Sequence, residues 1–433
     1  MKNAGASRER RESTVVAISP ARAVAFEILT QVGAGKGHSD ELLHSARLEP
    51  LSAEDRNLTT ALVMGVLRWQ IALDARIAPL LARPDQKLAE PIAIALRMGA
   101  FQLLHMDRIP AHAALNESVE LCRSAGHPHA TGMVNAVLRK LVGAPAPRAK
   151  IFELPAVFAE RLGHPRWLVE RWAAAYGRQA ALAICEYDQS EPADGSLFVP
   201  REGEDLPQMD DGSRLVAEIA AASLPDVSDR RLRVWDCCAA PGGKTLVLAK
   251  RLPGAEILAT DISANRLARM ETRLRKYGYA DHVRCEVADA SAMKDVEFDL
   301  ILCDVPCSGT GTLARNPEIR LQLREEELTR QAARQRAILS AASGRLAPGG
   351  RLVYSTCSLE PEENERVMES VLATLNLRML AMAFSLNKLA DAGLLRKEVA
   401  VELERSGVRG EALRTLPGVH LCDGFFAAVL ERN

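Results

Sequence analysis

At 433 residues, with 48% hydrophobic and 26% charged side chains, the chain has the composition of folded globular domains and the length for two or three of them. A formal net charge of −1 excludes a protein that holds nucleic acid through its overall field, so such a partner must be met by local basic patches. The nine cysteines (Cys122, Cys185, Cys237, Cys238, Cys285, Cys303, Cys307, Cys357, Cys422) are odd in number and never at CxxC spacing, and no histidine joins them at ligand spacing. This argues against a disulfide framework and predicts no metal site; the ordinary role of any one of them is a small buried hydrophobe in a reducing compartment. No uncharged apolar run reaches the roughly 18 residues of a membrane span.

In chain order, residues 1–19 carry Arg8, Arg10 and Arg11 without an apolar stretch or cleavage site, which predicts a basic arm of a cytoplasmic protein and not a signal peptide. Residues 20–142 show apolar positions at helical spacing in Ala21–Val32, Leu58–Leu67, Pro91–Leu104, Ala114–Cys122 and Gly132–Leu141, an all-helical domain. Gly143-Ala-Pro-Ala-Pro147 reads as a linker, opening a stretch over 143–209 whose only regular part is a helical piece between about residues 155 and 186. From 210 to 433 the pattern changes to short apolar strands alternating with helices. The strands drawn are Leu232–Cys237, Glu256–Thr260, Val283–Val287, Phe298–Cys303, Arg351–Ser355 and Phe425–Leu430, and they predict a parallel sheet covered by helices on both faces.

The first strand runs into Cys238-Ala-Ala-Pro-Gly-Gly-Lys-Thr245 and a helix. Gly242 and Gly243 permit a tight turn and close backbone approach to a ligand, and the helix start offers N–H groups to it. The phosphate loop GxxxxGK[ST] is excluded, because Cys238 occupies the place of its first glycine. Asp261 closes the second strand, where a carboxylate can hold the hydroxyls of a ribose, and Asp289 closes the third, where one can meet an adenine amino group. A single acid at a strand end often merely caps a helix. Three consecutive strands ending in a glycine loop, an acid and an acid are harder to explain by capping.

The fourth strand ends in Asp304-Val-Pro-Cys-Ser-Gly309 and the fifth in Tyr354-Ser-Thr-Cys-Ser358, so Cys307 and Cys357 both fall at the ligand-bearing edge. Cytosine C5 is a weak nucleophile. A thiolate added at C6 makes C5 enamine-like and able to take a methyl group from a sulfonium, after which a second group must help remove the C5 proton and release the adduct. Two cysteines in polar loops suit that pair of tasks better than they suit packing.

On these segments the chain resembles the RsmB (Fmu/Sun) family of rRNA cytosine-5 methyltransferases. The resemblance is carried by CAAPGGKT at Cys238–Thr245, DVPCSGTGT at Asp304–Thr312, RNPEIR at Arg315–Arg320, YSTCSLEPEEN at Tyr354–Asn364 and LPGVHLCDGFFAAVL at Leu416–Leu430. It implies an α/β fold, a Rossmann-like class I methyltransferase sheet using S-adenosyl-L-methionine. It implies Cys357 as nucleophile and Cys307 as the cysteine that assists release. Cys238, Ala239, Ala240, Pro241, Gly242, Gly243, Lys244, Asp261, Asp289 and Asp304 become cofactor contacts, with Asp304 also touching the base. The loop Ala288-Asp-Ala290 lacks the glycine that often follows the acid in this family.

Residues 20–142 resemble the NusB-type RNA-binding domain of the same subfamily, through Leu96–Leu104, Ile109-Pro110, Asn116–Val119 and Val134–Arg139. RNA contact would then fall to Arg8, Arg10, Arg11, Arg22, Lys36, Arg139 and Lys140. The chain departs from the family in two places: only Glu191–Met209 stands where a ferredoxin-like piece of roughly sixty residues is usual, and Leu321 stands where Trp is frequent. The expected protein is a monomeric enzyme acting on RNA, 16S rRNA first, with no DNA or membrane partner. Its rivals are a tRNA cytosine-5 methyltransferase and a non-catalytic, antitermination-like RNA-binding protein.

Overall fold

The computed structural model describes residues 17–145, 152–192, 197–225, 231–293 and 296–432. Arg8, Arg10 and Arg11 and the end of the predicted linker lie outside them. The chain divides into two compact units, one up to Pro165 and one from Arg166 onward. The stretch over 143–209 is therefore shared: helix Pro155–Arg161 belongs with the first unit, and Arg166–Tyr176 and Arg178–Tyr187 belong with the second. Of residues 188–209, those described form no helix or strand beyond a single bridge from Phe198 to Leu395. No described helix is long and apolar enough to cross a membrane.

The first unit is helical: Pro20–Gly33, Ala53–Ile77, Glu90–His105, Ala111–Ser124 and Thr131–Leu141 pack around Ile28, Leu62, Leu96 and Leu138, all fully buried. Arg22 does not serve as an RNA contact. It is buried, its Nε donates to Gln102 Oε1 at 2.7 Å and its Nη1 pairs with Glu117 at 2.9 Å, because a cation this far inside must be neutralised and hydrogen-bonded. Lys36, Arg139 and Lys140 are exposed.

Among the described residues the second unit is built on nine strands: β1 Arg233–Asp236, β2 Glu256–Asp261, β3 Val283–Val287, β4 Phe298–Asp304, β5 Leu346–Thr356, β6 Leu377–Leu380, β7 Val408–Arg409, β8 Ala412–Arg414 and β9 Phe426–Arg432. Their order is β3-β2-β1-β4-β5-β9-β8-β7, with β6 also paired to β9. β1 to β5 run parallel, as the alternation with helices demands. β9 corrects the expectation of an all-parallel sheet, since it lies antiparallel to β5. It is also antiparallel to its other neighbour β8, from which no helix separates it, as a strand that returns without a crossover must be. Along β4 every residue but Asp304 is buried, as a central strand covered on both faces requires. Val234, Leu300, Leu302 and Val353 point to the face that carries Leu215 and Ile219; Trp235, Ile301, Cys303 and Leu352 point to the face that carries Ile338 and Leu339.

Parallel pairing of β1, β2, β4 and β5 brings their carboxyl ends to one edge, where the loops after β4 and β5 meet a third, which leads into β9. Gly311 is the meeting point: its N–H donates to the Cys357 carbonyl at 2.9 Å and its carbonyl accepts from Gly424 N at 2.8 Å. A Cβ at Gly311 would lie 2.2 Å from the Gly424 carbonyl oxygen, backbone that has nowhere to move. Gly311→Ala is expected to lower stability by about 1–3 kcal/mol, as overpacking does. Gly254→Ala, with no atom within 4 Å of the added carbon, should be near neutral. Thermal unfolding of the two variants makes the comparison, and equal midpoints would contradict the close-packed junction.

Candidate active site

After β1 the chain turns through Cys237–Gly242 into helix Gly243–Arg251. Gly242 makes the turn at φ +93°, and a Cβ there would meet Met270 Cγ at 2.6 Å, so both conformation and space select glycine. The loop is held to β2 by Ala239 N donating to the Thr260 carbonyl at 2.9 Å and by the Arg266 guanidinium on the Ala240 carbonyl. At the end of β2, Asp261 is buried; its Oδ1 accepts from Ser263 N at 2.9 Å, and Arg266 stands 3.6 Å from Oδ2. Asp289, after β3, is exposed. Its Oδ1 accepts from both the N–H (2.9 Å) and the hydroxyl (2.7 Å) of Ser291, and these bonds draw its pKa below the usual carboxylate range.

Two thiols stand side by side over the ends of β4 and β5: Cys307 Sγ and Cys357 Sγ are 3.3 Å apart. The register of the strands pairs Asp304 with Ser355, so each cysteine lies two or three residues beyond the same level of the sheet. Asp304 is held from both sides. The Ser355 hydroxyl donates to Oδ1 at 2.8 Å, and Lys244 Nζ pairs with Oδ2 at 2.7 Å while also donating to Ser213 Oγ at 2.8 Å. Burial works against the Lys244 charge, but the carboxylate of Asp304, followed by Cys357, outweighs it and raises the pKa of Lys244. Cys307 is pushed the other way in reactivity. Its hydrogen bond with Cys357, then burial, then the negative charges of Cys357 and Glu363 raise its pKa well above the usual thiol range.

Several residues that build this site were not singled out from sequence. Glu363, fully buried, accepts from Ser308 N at 2.9 Å, from the hydroxyls of Ser308 and Ser358, and from Gln335 Nε2 at 2.9 Å. Glu360, also buried, accepts from Trp172 Nε1 at 2.9 Å and Arg171 Nε at 3.0 Å. Arg315 pairs with Asp423 at 2.9 Å and Asp210 at 3.4 Å, beside Tyr187 OH on Asp423 at 3.1 Å. In sequence, Glu360-Pro-Glu-Glu363 has the look of a solvated charge run; the signals available were its place directly after a cysteine loop and within the segment YSTCSLEPEEN that carries the family resemblance.

Asp236, at the end of β1, is buried and receives the Thr245 hydroxyl at 2.6 Å; burial raises its pKa to about 7. Burial, helped by Asp210, also takes Asp423 to about 7. The folded state thus binds protons that the unfolded chain releases near pH 4, so stability is full below that and falls as pH rises toward about 7. Each group gives a slope of at most about 1.4 kcal/mol per pH unit. Asp236→Asn should narrow the difference in Tm between pH 5 and pH 8; an undiminished difference would mean that Asp236 is ionised in the folded protein.

A Rossmann-like sheet with a glycine-turned loop after β1, buried Asp261 after β2 and Asp304 at the mouth of β4 has the layout of an S-adenosylmethionine site. Fold and site define a class I S-adenosylmethionine-dependent methyltransferase. The model of the 16S rRNA methyltransferase RsmB/F family matches residues 225–431, and that of the NusB family matches 19–143. The ribosomal RNA small subunit methyltransferase B of Xanthomonas campestris pv. campestris is 32% identical over 87% of this chain and 89% of its own length. The protein of the same name from Klebsiella pneumoniae subsp. pneumoniae is 31% identical over 94% of this chain and 97% of its own length. The chain belongs to the RsmB/F methyltransferase family. The solved structure of PH0851, 20% identical, matches with a TM-score of 0.72 over 97% of this chain and 100% of its own, a likeness of fold.

Proposed function

We propose that the protein methylates C5 of a cytosine in 16S rRNA through a covalent bond between Cys357 and C6 of the base. The observation that carries this reading is the pair of thiols in contact at 3.3 Å, at the mouth of a methyltransferase site. The pair is electrically lopsided. The hydrogen bond to Cys357, then burial, then the charges of Cys357 and Glu363 keep a proton on Cys307, which leaves the attack to the other sulfur. Cys357 is the nucleophile and Cys307 its partner on this argument. The printed names of the relatives supply the RNA, and the helical unit, of NusB type, is its second point of contact through exposed Lys36, Arg139 and Lys140.

Bound S-adenosylmethionine supplies an electrophilic methyl group for C5. The protein's own groups do the rest. Asp304, fixed by Lys244 and Ser355, accepts from the cytosine amino group and orients the ring. Cys357 gives an electron pair to C6, which enriches C5. Once C5 is methylated, the C6–S bond breaks with its electrons returning to Cys357, the Cys307 thiol in contact with that sulfur gives it a proton and takes up the C5 proton in its place, and the C5–C6 double bond re-forms. Cys307 assists that exit. Asp261 and the Cys238–Lys244 loop hold the donor; Asp289, exposed and engaged by Ser291, meets the adenine end.

Two measurements test this reading. With substrate RNA and donor, Cys357→Ala should give neither product nor covalent complex, whereas Cys307→Ala should methylate and then stall as a slow, denaturant-resistant band on a gel. The reverse pattern exchanges the roles, and full activity in both variants removes the covalent mechanism. Asp261→Ala should weaken S-adenosylmethionine binding by about 1–3 kcal/mol in calorimetry, the worth of a charge-assisted hydrogen bond. Unchanged affinity would leave Asp261 as a cap for the helix that follows.

A further inference from the structure

Behind the thiol pair, on the side away from the mouth, lies a carboxylate that the chemistry above does not use. Glu363 is fully buried in a 3₁₀ turn after β5, and a buried charge is costly unless every lone pair is engaged. Here the engagement is the informative part. One donor set comes from the loop after β4: the N–H of Ser308 at 2.9 Å and its hydroxyl, directly following Cys307. Another is the hydroxyl of Ser358, directly following Cys357. A third is Gln335 on helix Glu325–Ser343, whose Nε2 donates at 2.9 Å both to Glu363 and to the carbonyl of Pro306, the residue before Cys307. The two serine hydroxyls also meet each other at 3.0 Å, and Tyr354 of β5 donates to the Glu363 carbonyl at 2.6 Å. The residues next to both cysteines are thus fastened to a single side chain.

We infer that Glu363 is a positioning residue for the reaction: by binding the Cys307 and Cys357 loops to one carboxylate it holds the two thiols in contact, so that the adduct made by one can be released with the help of the other. The inference rests on the two-cysteine reading above. Glu363 never meets the substrate; it acts through Ser308 and Ser358. Its replacement by glutamine is nearly isosteric, but it puts an NH₂ where one carboxylate oxygen accepts from both serine hydroxyls, which must then reverse their bonds, and so loosens the hold on the loops without emptying the site.

The test uses the full chain and two readouts. Without RNA, the thiol oxidant diamide takes two electrons and two protons from Cys307 and Cys357 and joins them as a disulfide, followed by mass spectrometry of the linked peptides; its rate reports their proximity. Glu363→Gln should slow this cross-link on the order of tenfold and lower kcat by a similar factor, with KM for RNA and S-adenosylmethionine nearly unchanged and covalent RNA accumulating. Glu363→Asp, which keeps the acceptor, should recover part of both. Wild-type cross-linking, or slowed cross-linking with wild-type kcat, overturns the proposal. Should Glu363→Gln not fold by circular dichroism, the double variant Ser308→Ala/Ser358→Ala is measured in the same way. It leaves the carboxylate and Gln335 in place and should shift both readouts in the same direction; wild-type values there overturn the proposal too. A failure of the two-cysteine reading looks different: Cys307→Ala and Cys357→Ala would each keep wild-type activity, whatever Glu363 does to the cross-link.

Discussion

Burial of the Glu363 carboxylate is the constraint from which the rest of the second unit can be understood. A negative charge with no exposed surface is tolerable only if donors converge on it. Those donors come from the loop after β4, the loop after β5 and helix Glu325–Ser343. Three elements far apart in sequence must therefore arrive together. The same requirement explains why the neighbouring Glu360 is matched by Arg171 and Trp172, which draw helix Arg166–Tyr176 onto the turn. Buried acids here organise loops; their net contribution to stability is small or negative.

The front of the site obeys a different rule. Its charges are paired, and Lys244 with Asp304 and the Arg315 end of the Arg315–Asp423 pair keep some exposure. Lys244 has Asp304 on one side and Ser213 on the other, so the ammonium is fixed in place while still acting on Cys357. Gly311 closes the arrangement with backbone alone, because its contacts to Cys357 and Gly424 leave no room for a side chain. The site thus combines a stiff rear and floor with a polar mouth, the combination that orientation-dependent chemistry requires.

How much of this could be read in the sequence follows from the range of each signal. The six strands drawn from apolar runs lie within a few residues of β1–β5 and β9, since burial on two faces writes a continuous hydrophobic run. The strands β6, β7 and β8, of four, two and three residues, are too short to write any pattern, and the direction of β9 is not encoded in its own composition. The cofactor loop and both cysteine loops were visible as motifs because their residue types are dictated by chemistry. Glu363 lay inside one of those motifs, but its burial was not legible, for glutamates after a proline resemble a wetted surface. Arg22 was misread for the converse reason: a cation at the start of a helix is usually exposed, and only the fold supplies Glu117 and Gln102. Pairings across more than a few tens of residues leave no trace in a single chain.

One consequence of the sheet concerns time. Because β4 and β5 are neighbours, with Asp304 beside Ser355, the two thiols are carried on adjacent rails about 4.8 Å apart, the spacing of paired strands. On the proposed mechanism, passing from attack to release is work for these two side chains and not for lids or domains, whose motions take microseconds to milliseconds. Rotation about the Cα–Cβ bonds of the two cysteines moves their sulfurs, and side chains make such turns within nanoseconds. In the proposed reaction the interval between the two chemical events would then be set by bond making and proton loss, with large-scale motions left to the arrival and departure of the RNA.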